Sequence, residues 1–162
     1  MNTSELPNVV LRSSSSPRCP HRPTVFLALA WREAQAAADA ALRSCPDRSA
    51  GRHLCSHRFS LVLLTYFYAT GVYASEEVET SACCSREIQQ IFGRNVPSAP
   101  ALQRFRRQHR HVLTGCLTEV LLRVLEADRA NGIDRDCGAQ FRLAWECAED
   151  TIDNAILADL AD

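Results

Sequence analysis

The seventeen residues FSLVLLTYFYATGVYAS, Phe59 to Ser75, contain no charged side chain, and their reading decides the fold. From Phe59 to Ala69 the run is apolar on nearly every side. No face is set aside for water, so the segment belongs at the centre of a core. Val, Tyr and Phe also favour sheets, and composition alone allows a strand. The length of the run and the lack of partner strands favour a helix. A membrane span needs about 20 predominantly apolar residues. This run is shorter and holds Ser60, Thr65, Thr70 and Gly71, so a buried helix and no membrane contact are expected. Gly71 suits a left-handed stop at its end.

Working outward toward the N-terminus, Leu27, Trp31, Ala34, Ala38 and Leu42 share one face of a helix that starts after Pro23. Cys45-Pro46-Asp47 ends it, residues 46–56 form a polar loop, and residues 1–23, rich in Ser, Pro and Arg, form a flexible tail. In the other direction, Ser75 is an expected N-cap, with Glu76 and Glu77 in the positive first turn of a short helix to Ala82. A second short helix spans Ser85 to Phe92, with Ile88, Ile91 and Phe92 inward and Gly93 as its stop. After a turn from Arg94 to Pro100, Leu102, Phe105, His109 and Val112 define the inner side of a further helix. It continues, or bends at Gly115, through Leu117, Val120 and Leu121 to Asn131-Gly132. A last helix over 138–160 carries the stripe Phe141, Trp145, Ala148, Ile152, Ala155, Ile156, Leu160. The expected fold is all-α, a compact bundle of five to six helices with a basic helix of helix-turn-helix type. Its parts are the tail 1–23, a helical domain 24–132 and an acidic C-terminal amphipathic helix 133–162.

At 162 residues the chain holds one domain, and 46% apolar with 23% charged residues is a globular composition. All 18 basic residues are Arg, so every cationic contact is a planar fork suited to phosphate and guanine. The eight Cys come without a signal peptide or a CxxC pair. They are expected to be free, mostly buried and in a reducing, cytoplasmic setting. Cys19/His21 and His53/Cys55/His57 raise zinc as the sharper alternative, but structural zinc sites pair their ligands at wider gaps. The expectation is no metal, no cofactor and no small-molecule substrate.

The net charge of −1 hides a separation. Residues 1–118 carry 14 Arg against 8 acids, whereas residues 119–162 carry 4 Arg against 11 acids. From Ile88 to Thr118 there is no acid at all, and Arg94, Arg104, Arg106, Arg107 and Arg110 fall there. In one helix Arg104, Arg107, Gln108 and His111 recur at i, i+3, i+4 and i+7, with Gln103, Arg106 and Arg110 alongside. Arg can grip guanine and Gln adenine with two bonds each, and further Arg can neutralise phosphates. The candidate DNA contacts are therefore Arg94, Gln103, Arg104, Arg106, Arg107, Gln108, Arg110 and His111. The competing reading is a solvated basic face paired with the acidic C-terminal part. His109 is expected to be a packed core histidine.

The text LLTYFYATGVYASEEVETSA, Leu63 to Ala82, followed by VPSAPALQRFRRQHR, Val96 to Arg110, resembles the N-terminal domain of insertion-sequence transposases of the InsH type, in the DDE superfamily. Tyr68, Ala69, Thr70, Gly71, Val72, Tyr73, Ser75, Glu77 and Glu79 match in the first block, and Pro97, Arg104, Phe105, Arg106, Arg107 and His109 in the second. The likeness covers about a third of the chain, and the order and spacing of the two blocks carry it. Glu76 and Thr80 stand where the family has Arg. The turn Pro97-Ser98-Ala99-Pro100 lacks the family's Asp, which leaves Ser98 as the cap.

The resemblance implies a helical domain that binds transposon-end DNA. The family's catalysis belongs to a following RNase H-like domain, whose strand-borne Asp, Asp and Glu hold two metal ions. After Leu125 this sequence offers no strand-like run, and Glu146, Glu149, Asp150 and Asp153 have the spacing of a solvated helical face. The expectation is thus a truncated or domain-only transposase: a module for DNA transposition that binds DNA without being an enzyme. The alternative is a helical interaction or oligomerisation module that acts on an intact transposase or on a second copy.

Overall fold

A computed structural model describes residues 24–44, 57–92, 95–129 and 137–160. These form seven helices and no strand among the described residues: α1 Thr24–Arg43, α2 Arg58–Thr70, α3 Ser75–Cys84, α4 Arg86–Phe92, α5 Ala99–Gln108, α6 Arg110–Arg129 and α7 Cys137–Ala158. The all-α class stands, with one or two more helices than the sequence suggests. No helix among the described residues is long and apolar enough to cross a membrane.

The uncharged run becomes α2, and it sits at the centre. Leu61, Val62, Leu63 and Leu64 follow one another and all are fully buried, which a helix achieves only when neighbours surround it. Those neighbours are α1, α3, α5 and α6, and α7 lies outside against α6. Gly71 ends the helix at φ 88°. Its N–H donates to the Tyr68 carbonyl at 3.1 Å and the Val72 N–H donates to the Phe67 carbonyl at 2.9 Å. That is the paired closure of a Schellman turn, which needs a residue free to adopt positive φ.

Small residues set the helix spacing. Ala30, Ala34, Ala37 and Ala38 are the buried positions of α1, and Ala144, Ala148, Ile152 and Ala155 those of α7, together with Gln140. A bidentate pair from Arg58 to Asp39, 2.7 and 3.1 Å, joins the start of α2 to α1. Trp31 meets Tyr66 edge-on with ring centres 5.1 Å apart. Because Ala148, Ile152 and Ala155 belong to the same core cluster as Leu61 and Leu117, the C-terminal helix is packed into the bundle.

Several local expectations are corrected. The helix expected from Pro100 onward breaks at His109 (φ −122°, ψ 27°), six residues before Gly115, which lies inside α6. His109 serves both helices: its N–H donates to the Phe105 carbonyl at 2.9 Å and its carbonyl accepts from Leu113 N at 3.0 Å. Its ring lies 4.7 Å from that of Phe105 and 6.1 Å from that of His57. Ile91 is 49% exposed, whereas Ile88 is buried; the Phe92 side chain lies outside what is described. Phe141 and Leu160 are exposed as well. Phe141 stacks on Trp145 within the first turns of α7, and Leu160 lies past the helix end. Of the four cysteines whose side chains are described, Cys116 is buried while Cys83, Cys84 and Cys147 are exposed, so burial is not their rule; all four are free. The tail 1–23, the loop 46–56, Gly93 and Asn131-Gly132 lie outside the described residues.

Two substitutions check this packing. Phe105→Ala should lower the unfolding free energy by about 3–5 kcal/mol, whereas Ile91→Ala should change it by less than about 0.5 kcal/mol, both read from urea titrations. A Cβ on Gly115 would meet nothing within 4 Å. Gly115→Ala should therefore stabilise α6 by about 0.5–1 kcal/mol in the same assay.

Candidate nucleic-acid interface

The ten-residue α5 divides its side chains sharply. Ala99, Leu102, Phe105 and Arg106 are buried, Gln103 is half-buried, and Arg104, Arg107 and Gln108 are exposed. Leu102 and Phe105 join the core cluster, so the exposed residues stand on a backed helix. No ion pair among the described residues engages Arg104 or Arg107.

The start of α5 is tied down from another helix. Ser98 occupies the N-cap position without a side-chain bond. The Ala99 N–H donates instead to Glu79 Oε2 of α3 at 2.6 Å. A carboxylate at a helix N-terminus meets both an unpaired donor and the positive end of the dipole. The cap expected of Ser98 is thus supplied by Glu79, from 20 residues away.

Arg106 is the main correction to the expected site. Its side chain is 3% exposed. One guanidinium nitrogen donates to the Tyr68 hydroxyl at 2.8 Å, another is bonded to Asp159, and Nε has no partner. Asp159 follows α7 and also accepts from Ser75, at 2.8 Å from its N–H and 2.8 Å from its hydroxyl. Ser75 is therefore no N-cap. It lies buried in the first turn of α3, and Asp159 does the capping across 84 residues. Burial pushes the Asp159 carboxyl up, but the bonds from Ser75 and Arg106 and the Arg106 charge outweigh it and hold the group below the usual carboxylate range. Burial likewise raises the Tyr68 phenol, against the pull of Arg106.

The other expected contacts separate. Arg94 lies outside the described residues. Arg110 and His111 fall beyond the break at His109, so the single face expected from Arg104 to His111 does not form. Arg110 is exposed and bonded to Asp153 of α7 at 2.7 Å. His111 is exposed and packs edge-on to Trp145, ring centres 5.9 Å apart. What α5 itself gathers is Gln103, Arg104, Arg107 and Gln108. Sequence reasoning missed Glu79, Tyr68 and Ser75 as parts of the support, although all three match in the resemblance. Asp159 had no signal beyond being one acid among many on the C-terminal part.

Among the described residues no group of three His, Cys, Asp or Glu side chains is placed to hold a metal ion. His53 and Cys55 lie outside them, and the His57 ring packs near Phe105, centres 5.7 Å apart. An open groove of about 710 Å³ runs between α1 and α6, lined by Ala36, Ala37, Ala40, Ala41, Val112 and Gly115 among others. Compared with known proteins, the chain matches no family model, no curated protein and no solved structure.

Burial, helped by nearby Glu119, pushes the Cys116 thiol up to about 12. At mildly alkaline pH a maleimide should label Cys83, Cys84 and Cys147 within minutes and leave Cys116 unmodified until the protein unfolds, as read by peptide mass mapping.

Proposed function

We propose that the protein is a helical DNA-binding module, related to the end-binding domain of InsH-type transposases, in which α5 faces the DNA. The observation that carries this reading is the outward side of α5: Arg104, Arg107 and Gln108 are exposed, and no ion pair among the described residues holds either arginine. Such forks serve phosphates through charge and base edges through paired hydrogen bonds. Gln103 sits at the edge of the same side, and Arg110 is available wherever DNA displaces Asp153. The two sequence blocks of the resemblance support the link to transposition. The proposal assigns binding rather than catalysis to this chain. Its acids Glu146, Glu149 and Asp150 line an exposed face of α7, and Asp153 pairs with Arg110.

A second reading is an interaction module for an intact transposase or a second copy. Phe141, Leu143 and Leu157 on α7, with Leu160 just beyond it, are exposed apolar side chains that favour it.

Fluorescence anisotropy with a random-sequence duplex pool across a salt series separates the two. Under the DNA reading, affinity falls steeply with salt, and Arg107→Ala lowers the slope by about 1. A folded chain with no salt-dependent affinity, unchanged by Arg107→Ala, would replace this reading with the interaction module.

A further inference from the structure

Asp159 joins three helices through one carboxylate. It takes the Ser75 N–H and hydroxyl at the start of α3, and the guanidinium of Arg106 on α5, which in turn reaches Tyr68 on α2. Its side chain is 8% exposed. A buried guanidinium cannot shed its proton, so it needs either this partner or water.

Turning α5 would carry the guanidinium to water. Arg106 lies between Arg104 and Arg107 in sequence, and each residue advances about 100° around a helix. A rotation that hydrates Arg106 swings Arg104 and Arg107 out of their present direction by a similar angle. The remaining ties of α5 are the inward Leu102 and Phe105 and the Glu79 bond at its first residue.

We propose that Asp159 is the positioning residue of the α5 face: by holding Arg106 inside, it fixes the rotation of α5 and so the direction in which Arg104 and Arg107 point. The inference rests on the DNA-binding reading for its functional half. It makes the end of α7 part of the DNA-facing unit.

The test compares Asp159→Asn, Asp159→Glu and Asp153→Asn with the unaltered full-length chain. Asp153→Asn is the control, because it removes only the exposed pair with Arg110. Hydrogen exchange is read in residues 75–78 and 99–108 against α1 and α2, and anisotropy with the random duplex pool is read in parallel. Asp159→Asn should speed exchange about tenfold or more in those two segments, with α1 and α2 unchanged. It should also weaken DNA binding about tenfold, with partial recovery in Asp159→Glu. Asp153→Asn should leave exchange unchanged.

A pH series adds a readout that general destabilisation would not move. The groups facing the Asp159 carboxylate are Arg106 from α5, Ser75 from α3 and, through Arg106, Tyr68 from α2. Its acidity is greater folded than unfolded. Protection is therefore complete above about pH 4 and is lost as pH falls below it. Corrected for intrinsic exchange, the unaltered chain should show this step in 99–108 and Asp159→Asn should lack it. Should Asp159→Asn fail to fold, the pH step and Asp159→Glu carry the test. Exchange that rises equally in every helix, or not at all, overturns the proposal. Localised loss at α5 in a chain that never binds DNA overturns the DNA reading instead, and with it the functional half.

Discussion

A guanidinium that must stay charged is enclosed in this bundle, and the surrounding helices supply partners to two of its three nitrogens. Arg106 stands among Tyr68, Asp159 and, through Asp159, Ser75. Breaking such a buried pair by removing one partner costs about 3–5 kcal/mol, while its net worth against an apolar pair of the same shape is near zero. Its value is geometric. A leucine at this position would add apolar contact without direction, whereas a planar fork with fixed donors adds a directional constraint.

This constraint sorts the basic residues into three kinds. Arg106 is structural. Arg58 and Arg110 hold acids on neighbouring helices at the surface, Asp39 and Asp153 respectively, and contacts of that kind contribute about 0–1 kcal/mol. Arg104 and Arg107 engage no acid among the described residues. The charge separation seen along the chain is therefore partly closed within the fold, by α7 lying along α6. On the exposed side of α5 it stays open.

Much of the fold was legible because it follows from periodicity. The uncharged run announced α2, Gly71 announced its end, and the stripe Leu27, Trp31, Ala34, Ala38, Leu42 announced α1. The limits have physical causes. Ile91 and Phe141 fit an inward stripe by angle, but position along the helix decides whether a neighbour is there to cover them. The break at His109 leaves no mark in composition, since any residue can take φ −122°; its ring packs against Phe105 and near His57. Arg106 was assigned outward because charge is usually solvated. What turns it inward is Asp159, 53 residues later, and a partner so distant has no local signature. The exposed residues of α5 were legible, and the atoms that aim them were not.

The same long reach orders events in time. A polypeptide grown as far as residue 129 already contains Tyr68, Ser75 and Arg106, but not the carboxylate that pairs with Arg106 in the finished bundle. The first turn of α3 waits with an unpaired donor over the same interval. Closure of the network is thus deferred until α7 has been synthesised and docked, which places a sequence separation of 84 residues at the last step of assembly. Long-range closure of this kind is slow to find by chance. Until it happens, α5 lacks the Asp159 tie on Arg106 and is held only from its inner side and its first residue, so its exposed side is completed late, as a property of the finished bundle rather than of the helix that bears it.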